Sequence, residues 1–232
     1  MTRQLLTTVF IILQLGPLQA GEPDSISVKQ RDPLPGFAIP VMTVATGTAF
    51  FLDGPFRNHH VSHPTAFKKD FSEISDYFGN KKFVVPAVVA AYGAGRFVFR
   101  NPKLQITAFR SFQSILATAL VTETIKISVG RARPYLNKGP HDFNPFSFSD
   151  NHYKSFPSGH ASLAFAAFTP FAENYSRWLY AIPASVAIGR IWQDKHWTTD
   201  VIAGSCLGFI SGFLFMHNEN VQIIPNGLVV RF

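Results

Sequence analysis

The sequence predicts an all-α protein: a compact helical bundle of about six core helices, ending in a short extended or hairpin C-terminal tail. Three observations carry that expectation. Apolar residues make up 47% of the chain and charged residues only 15%, with 24 phenylalanines, against roughly one-quarter charged in ordinary soluble domains. The apolar residues gather into runs too long for strands, and no apolar/polar alternation competes. At 232 residues the chain is long enough for one sizeable core and short for two.

The elements follow in order. Residues 1–20 read as an export signal: Arg3 gives the positive start, Leu5 to Leu15 the apolar run, and Pro17-Leu18-Gln19-Ala20 a cleavage region before Gly21. Leu18 is large for such a site, so an uncleaved anchor helix is the alternative. Residues 21–36 form a polar, proline-rich lead-in. The helical domain is expected over 37–216, in the apolar segments Phe37–Leu52, Phe83–Phe99, Ile106–Ile127, His160–Ala172, Trp178–Arg190 and Thr198–Met216. In the tail, 217–232, Val221 to Ile224 and Leu228 to Phe232 flank Pro225-Asn226-Gly227 and read as two short strands around a turn.

No segment reaches the about 20 apolar residues of a membrane span without a charge or polar cluster. Basic loops lie on both sides of the second segment, so charge gives no orientation. The expectation is an exported bundle, periplasmic or membrane-associated, resting on the membrane with its site on the exterior side. A polytopic arrangement is the alternative. The net charge of +7 favours an anionic substrate or lipid surface. Nucleic acid is not expected as a partner, because the basic residues are scattered rather than striped. Cys206 is the only cysteine, which excludes an intramolecular disulfide and a cysteine metal site.

Three short stretches carry the chemistry. Lys126 and Arg133 are seven residues apart, two helical turns, so both can project from one face; Pro134 puts Arg133 where the helix gives way to a loop, and Arg131 adds a cation nearby. Taken alone, this is also what a basic helix end looks like. Ser158 in Pro157-Ser158-Gly159-His160 resembles a helix N-cap, and Gly159 lets the backbone approach a ligand. Backbone N–H groups there form a natural phosphate cradle beside His160; an ordinary capped helix has the same pattern. His196 and Asp200 are four apart, hence adjacent on a helical face, where Asp200 would accept the imidazole N–H. Arg190 lies upstream, Trp192 and Trp197 flank the histidine and could exclude water, and Gly204, Gly208 and Gly212 allow close helix packing. Three cations, two histidines and a helix N-terminus suit a phosphate dianion, since phosphoryl transfer mainly needs charge neutralisation and alignment.

In this order and spacing the stretches resemble the signature of the phosphatidic acid phosphatase type 2 / vanadium haloperoxidase superfamily: K-x6-R-P, P-S-G-H and S-R-x5-H-x3-D. One departure is Gly189, where the family has serine. The resemblance implies that Lys126, Arg133 and Arg190 bind the phosphate oxygens with Ser158 and Gly159. It implies that His196 attacks phosphorus to give a phosphohistidine, that Asp200 holds His196, and that His160 protonates the leaving oxygen and then activates water. The expected enzyme is a metal-independent phosphatase without cofactor, acting on phosphomonoester or pyrophosphate groups. A lipid-linked substrate (phospholipid, isoprenoid diphosphate or lipid A type) is favoured over small soluble esters, the substrates of a non-specific periplasmic acid phosphatase. A vanadium-dependent haloperoxidase is the remote alternative. His59, His60 and His63 are expected as solvated loop histidines, and the aromatic segment Lys138 to Phe156 as a lid, a lipid-facing rim or packing.

Overall fold

Seven α-helices run through the residues that the computed structural model describes, 38–217, 221–224 and 227–230. They are α1 (Ala38–Val61), α2 (Ala66–Asp76), α3 (Lys81–Gly93), α4 (Pro102–Val129), α5 (Gly159–Asn174), α6 (Ala181–Trp192) and α7 (Thr198–His217). The antiparallel strands β1 (Val221–Ile224) and β2 (Gly227–Val230) form the hairpin expected in the tail. The predicted signal and lead-in lie outside the described residues. Each of the six apolar segments supplies a helix, and the all-α class holds.

Two elements differ most from the sequence reading. α1 does not stop at Leu52 but continues through Asp53, Gly54 and Pro55 to Val61. His59 and His60 therefore sit in its last turn rather than in a loop. α2 was not expected at all. It starts at Thr65, whose hydroxyl accepts a hydrogen bond from the Lys68 N–H at 3.2 Å, a regular N-cap. Its apolar residues recur at helical spacing, yet Phe67 and Ile74 face outward while Ser72 and Ser75 are buried.

That inversion runs through the molecule. The buried positions are mostly small or polar: Ala108, Ala161, Ala164, Ala166 and Ala167 with Ser111, Ser114, Thr107 and Thr118. Large apolar side chains face out, with Phe51 79% and Trp178 88% exposed. Small residues let helix backbones approach, which is how helices associate when surface burial from water is not the driving force. α5 occupies the centre, packed on α4, α6 and α7. The Gly204, Gly208 and Gly212 stripe of α7 lies against it: a Cβ on Gly208 would collide with the Ser162 carbonyl, and one on Gly212 would stand 2.6 Å from Thr169 Cβ. α7 is also the one described helix long and apolar enough to cross a membrane.

Candidate active site

The C-terminal ends of α2, α4 and α6 meet the N-terminal ends of α5 and α7, and all the sequence-predicted site residues lie at this end. α4 stops at Val129 because Gly130 takes the left-handed conformation (φ 60°), its N–H returning to the Lys126 carbonyl at 3.0 Å. The helix gives way to a loop before Arg133, as Pro134 led the sequence to suggest but about one turn earlier, so the two cations do not share one helical face. Arg133 lies beyond the helix in a loop, held by its N–H to the His152 carbonyl at 3.0 Å. The folded loop still brings the two cations together. Lys126 is 7% exposed and donates to the Pro157 and Lys154 carbonyls at 2.5 and 2.8 Å. The Arg133 guanidinium donates to the Lys195 carbonyl at 3.0 Å and reaches His196 Nε2 at 3.3 Å.

Ser158 is the N-cap of α5 by position, but its hydroxyl makes no capping bond and is buried without a partner. Gly159 begins the helix beside the Lys126 side chain, a Cβ there lying 3.5 Å from Lys126 Cε. Arg190, in the last turn of α6, gives one nitrogen, Nη1, to Asp76 at 2.5 Å and to Gln193 at 2.9 Å. Its Nε is buried with no partner. An unpaired buried donor costs about 1–3 kcal/mol. Ser158 and Arg190 each carry such a group within a site that already holds Lys126 and Arg133.

His196 is buried, 3% exposed, in the turn before α7. Because that helix starts at Thr198, His196 and Asp200 are not two positions of one helical face, as the sequence suggested. Nor does Asp200 accept the imidazole N–H: Nδ1 lies 3.6 Å from Asp200 Oδ2, outside hydrogen-bond range. The carboxylate is already filled. Oδ1 takes Arg131 at 2.7 Å, and Oδ2 takes the Ser155 hydroxyl at 2.5 Å and the Trp197 N–H at 2.9 Å. Asp200 thus fixes the backbone next to His196 and supplies a negative charge near Nδ1. A guanidinium has only donors, so Nε2, which faces Arg133, is the unprotonated nitrogen and the ring proton sits on Nδ1. Burial, then Arg133, Lys126, Arg190 and His160, hold the His196 pKa well below the usual imidazole value. The ring stays neutral, with a lone pair turned toward the cations.

Arg131 is not one of those cations. It is fully buried and paired at 2.7 Å with both Asp53 of α1 and Asp200 of α7. Asp53 also takes the Thr199 N–H at 2.9 Å and its hydroxyl at 2.7 Å, capping α7 from another helix. Arg57, one turn further along α1, pairs with Asp194 at 2.7 Å and ties down the loop that carries His196. Trp197 is buried between, its indole N–H on the Ala132 carbonyl at 2.8 Å, whereas Trp192 packs on Phe71 with ring centres 5.2 Å apart.

Asp53, Arg57 and Asp76 escaped the sequence reading. Asp76 ends α2, pairs with Arg190 and lies 3.6 Å from His160 Nε2. Gly189 lies at this approach of α2 to α6: a Cβ there would meet the rotatable Ser75 hydroxyl and stand 3.3 Å from Ser72 Cα. Outside the site, the His59 and His63 rings meet at a tilt of 38° with centres 5.0 Å apart. Among the described residues no group of three His, Cys, Asp or Glu is placed to hold a metal ion. In the aromatic segment Phe146 and Phe148 are exposed, while Phe143 stacks on Phe50 of α1.

Known proteins resemble this chain in sequence and in fold. The family model described as PAP2 superfamily matches residues 108–223, a stretch that contains Lys126 through Asp200. A lipid A 1-phosphatase from Rhizobium etli is 26% identical over 162 residues, covering 63% of this chain and 69% of that protein. The crystal structure of Aquifex aeolicus LpxE superposes with a TM-score of 0.55 at 19% identity, over 70% of this chain and 92% of that one. The crystal structure of a transmembrane PAP2-type phosphatidylglycerolphosphate phosphatase from Bacillus subtilis gives 0.54 at 21% identity, over 77% and 94%. With the family's span, a shared helical bundle and the three motifs at one end of it, the chain belongs to the PAP2 superfamily, whose relatives here are lipid phosphatases.

Proposed function

We propose that this chain is a phosphoester hydrolase that removes phosphate from membrane lipids through a phosphohistidine on His196, without a metal ion. The observation that carries this reading is the set of unpaired or cationic donors around one imidazole lone pair. Ser158 Oγ and Arg190 Nε lack partners, Lys126 and Arg133 stand beside them, and His196 Nε2 is the acceptor nitrogen. A phosphoryl group satisfies all of these groups at once. Lys126, Arg133 and Arg190 neutralise its oxygens, with Ser158 and the Gly159 N–H adding hydrogen bonds at the helix N-terminus.

Nε2 attacks phosphorus and the ester P–O bond breaks, with the leaving oxygen taking a proton from His160. His160, now neutral, removes a proton from water, whose oxygen attacks the phosphohistidine and releases inorganic phosphate. Asp200 acts as a positioning residue, through Trp197 and through its charge near Nδ1. Asp76 holds Arg190 and places a carboxylate 3.6 Å from His160 Nε2.

The outward aromatic side chains and the inverted amphipathicity of α2 support a bundle embedded in a bilayer; on this reading its catalytic end lies at the exterior surface. The lipid A 1-phosphatase relative supports a lipid substrate. The test is phosphate release by purified protein in EDTA, from lipid phosphates and pyrophosphates beside soluble esters. Release from the lipid substrates with His196→Ala inactive is expected. Preference for the soluble esters would indicate an acid phosphatase, and activity restored only by divalent ions would exclude the metal-free mechanism.

A further inference from the structure

Charge is confined to the two ends of the bundle. Residues 38–52, 83–95, 161–172, 181–189 and 201–216 contain no Asp, Glu, Lys or Arg. Within α4, Arg110 turns to the Phe215 carbonyl at 2.8 Å, and Glu123 pairs with Lys154 of the catalytic end at 2.7 Å. The end remote from His196 is formed by the connection from α3 to α4, the connection from α5 to α6 and the last turn of α7. Among the described residues its exposed charges are all positive: Arg96, Arg100, Lys103 and Arg177. The acid described there, Glu173, turns inward with its side chain 8% exposed and takes the Tyr180 hydroxyl at 2.9 Å. The catalytic end differs, for exposed Asp70 and Glu73 stand beside Lys69.

The cations sit on ordered backbone. Asn101 caps α4 through the Leu104 N–H at 3.1 Å, and its own N–H bonds the Gly95 carbonyl at 2.8 Å. Gly95 lies so close to α4 that a Cβ there would stand 2.7 Å from the Gln105 nitrogen. Lys103 Nζ lies 4.6 Å over the Tyr175 ring, which joins this loop to the one that carries Arg177. Phe97, Phe99 and Trp178 project strongly into the open among these cations. At 1.5 Å per residue, Lys103 lies about 35 Å along α4 from Lys126. The hydrocarbon core of a bilayer is about 30 Å thick. A bundle with Lys126 at one surface therefore sets Lys103 among the headgroups of the other leaflet.

We propose that this end of the bundle docks anionic phospholipids, with their phosphates among Arg96, Arg100, Lys103 and Arg177 and the aromatic side chains in the interface beneath. The inference rests on the bilayer reading above and is independent of the phosphatase chemistry. Cations beside Trp and Tyr suit a membrane–water interface, and each Lys or Arg near an anionic surface contributes about fivefold in affinity. A soluble anion would neutralise the cations but leave Phe97, Phe99 and Trp178 in water. A lipid surface covers both.

The test places the full chain in nanodiscs of phosphatidylcholine mixed with phosphatidylglycerol, an anionic phosphodiester that a phosphomonoesterase leaves intact. Lipids that stay on the protein after transfer to detergent are identified by native mass spectrometry. The wild type should retain phosphatidylglycerol in preference to phosphatidylcholine by about tenfold or more. Replacing the four cations by Gln should lower that preference at least about fivefold. The control at the catalytic end, Lys69→Gln with Lys81→Gln, should change it less than about twofold. If the fourfold variant does not fold, Arg96→Gln and Arg177→Gln, on separate loops, should each give a smaller loss of the same sign. No preference in the wild type, or a preference that these variants keep and the control loses, overturns the surface. Protein stripped from vesicles by alkaline carbonate would remove the bilayer reading itself, and the surface with it.

Discussion

Two buried clusters of charge lie side by side at the catalytic end, and they are built on opposite principles. In Asp53–Arg131–Asp200 every charge is paired, and both carboxylates also take further N–H and hydroxyl donors. Around His196 the cations outnumber their anions, and Ser158 and Arg190 keep buried donors unpaired. The paired cluster ties α1, the loop after α4 and the start of α7 into one rigid unit. The unpaired cluster carries cost in the free protein and becomes satisfied only when an anion arrives. Stability is therefore expected to follow the first cluster and turnover the second.

Mutations separate the two. The largest effect expected is on turnover: His196→Ala should lower kcat by about four orders of magnitude and leave thermal unfolding unchanged or slightly higher. A comparable fall in stability would break the division. Arg131→Met leaves two buried carboxylates unpaired and should destabilise the fold by about 3–5 kcal/mol, read by denaturant or thermal unfolding in detergent. A variant as stable as the parent would mean the cluster is not a strut. Ser158→Ala is expected to reduce kcat/KM by about tenfold, while stability holds or rises because an unpaired hydroxyl is removed. A clear loss of stability would show the hydroxyl already bonded in the free enzyme.

The smallest effect concerns pH. His196 is held neutral in the fold by burial and by Arg133, Lys126, Arg190 and His160. The unfolded chain, with an ordinary imidazole, takes up a proton below about pH 6.5. The unfolded state then binds more protons, so this residue's contribution lowers stability as pH falls through that value. Arg133→Gln removes the largest charge cause and should raise the His196 titration midpoint, measured by NMR of the labelled imidazole. A midpoint that does not move would assign the shift to burial alone.

The same contrast decides what was legible in the sequence. Lys126, Arg133, Ser158, Gly159, His160, Arg190, His196 and Asp200 stand in short spaced motifs, and the fold gathers all of them. Their partners do not announce themselves. Asp53 looked like the end of an apolar run because its stabilising contacts, Arg131 and Thr199, come from distant parts of the chain. Nothing local tells Arg131 from Arg133, two residues on. Only the loop's hydrogen bonds to residues 142 and 152 turn one inward to the strut and the other to His196. α2 was missed because a search for apolar runs passes over an amphipathic helix, and here the buried face carries the serines. Asp200 as hydrogen-bond partner of His196 failed for a related reason: spacing sets neighbours, whereas competing donors set which bonds form.

The most direct test of His196 as the nucleophile is a rapid-quench experiment on His160→Ala with p-nitrophenyl phosphate labelled at phosphorus. Its leaving group departs without a general acid, while removal of His160 slows attack by water. A burst of nitrophenolate close to one per active site is expected, with acid-labile, base-stable label recovered in a peptide containing His196. Turnover without a burst or label, or a burst that persists when His196 is also replaced by Ala, would contradict it.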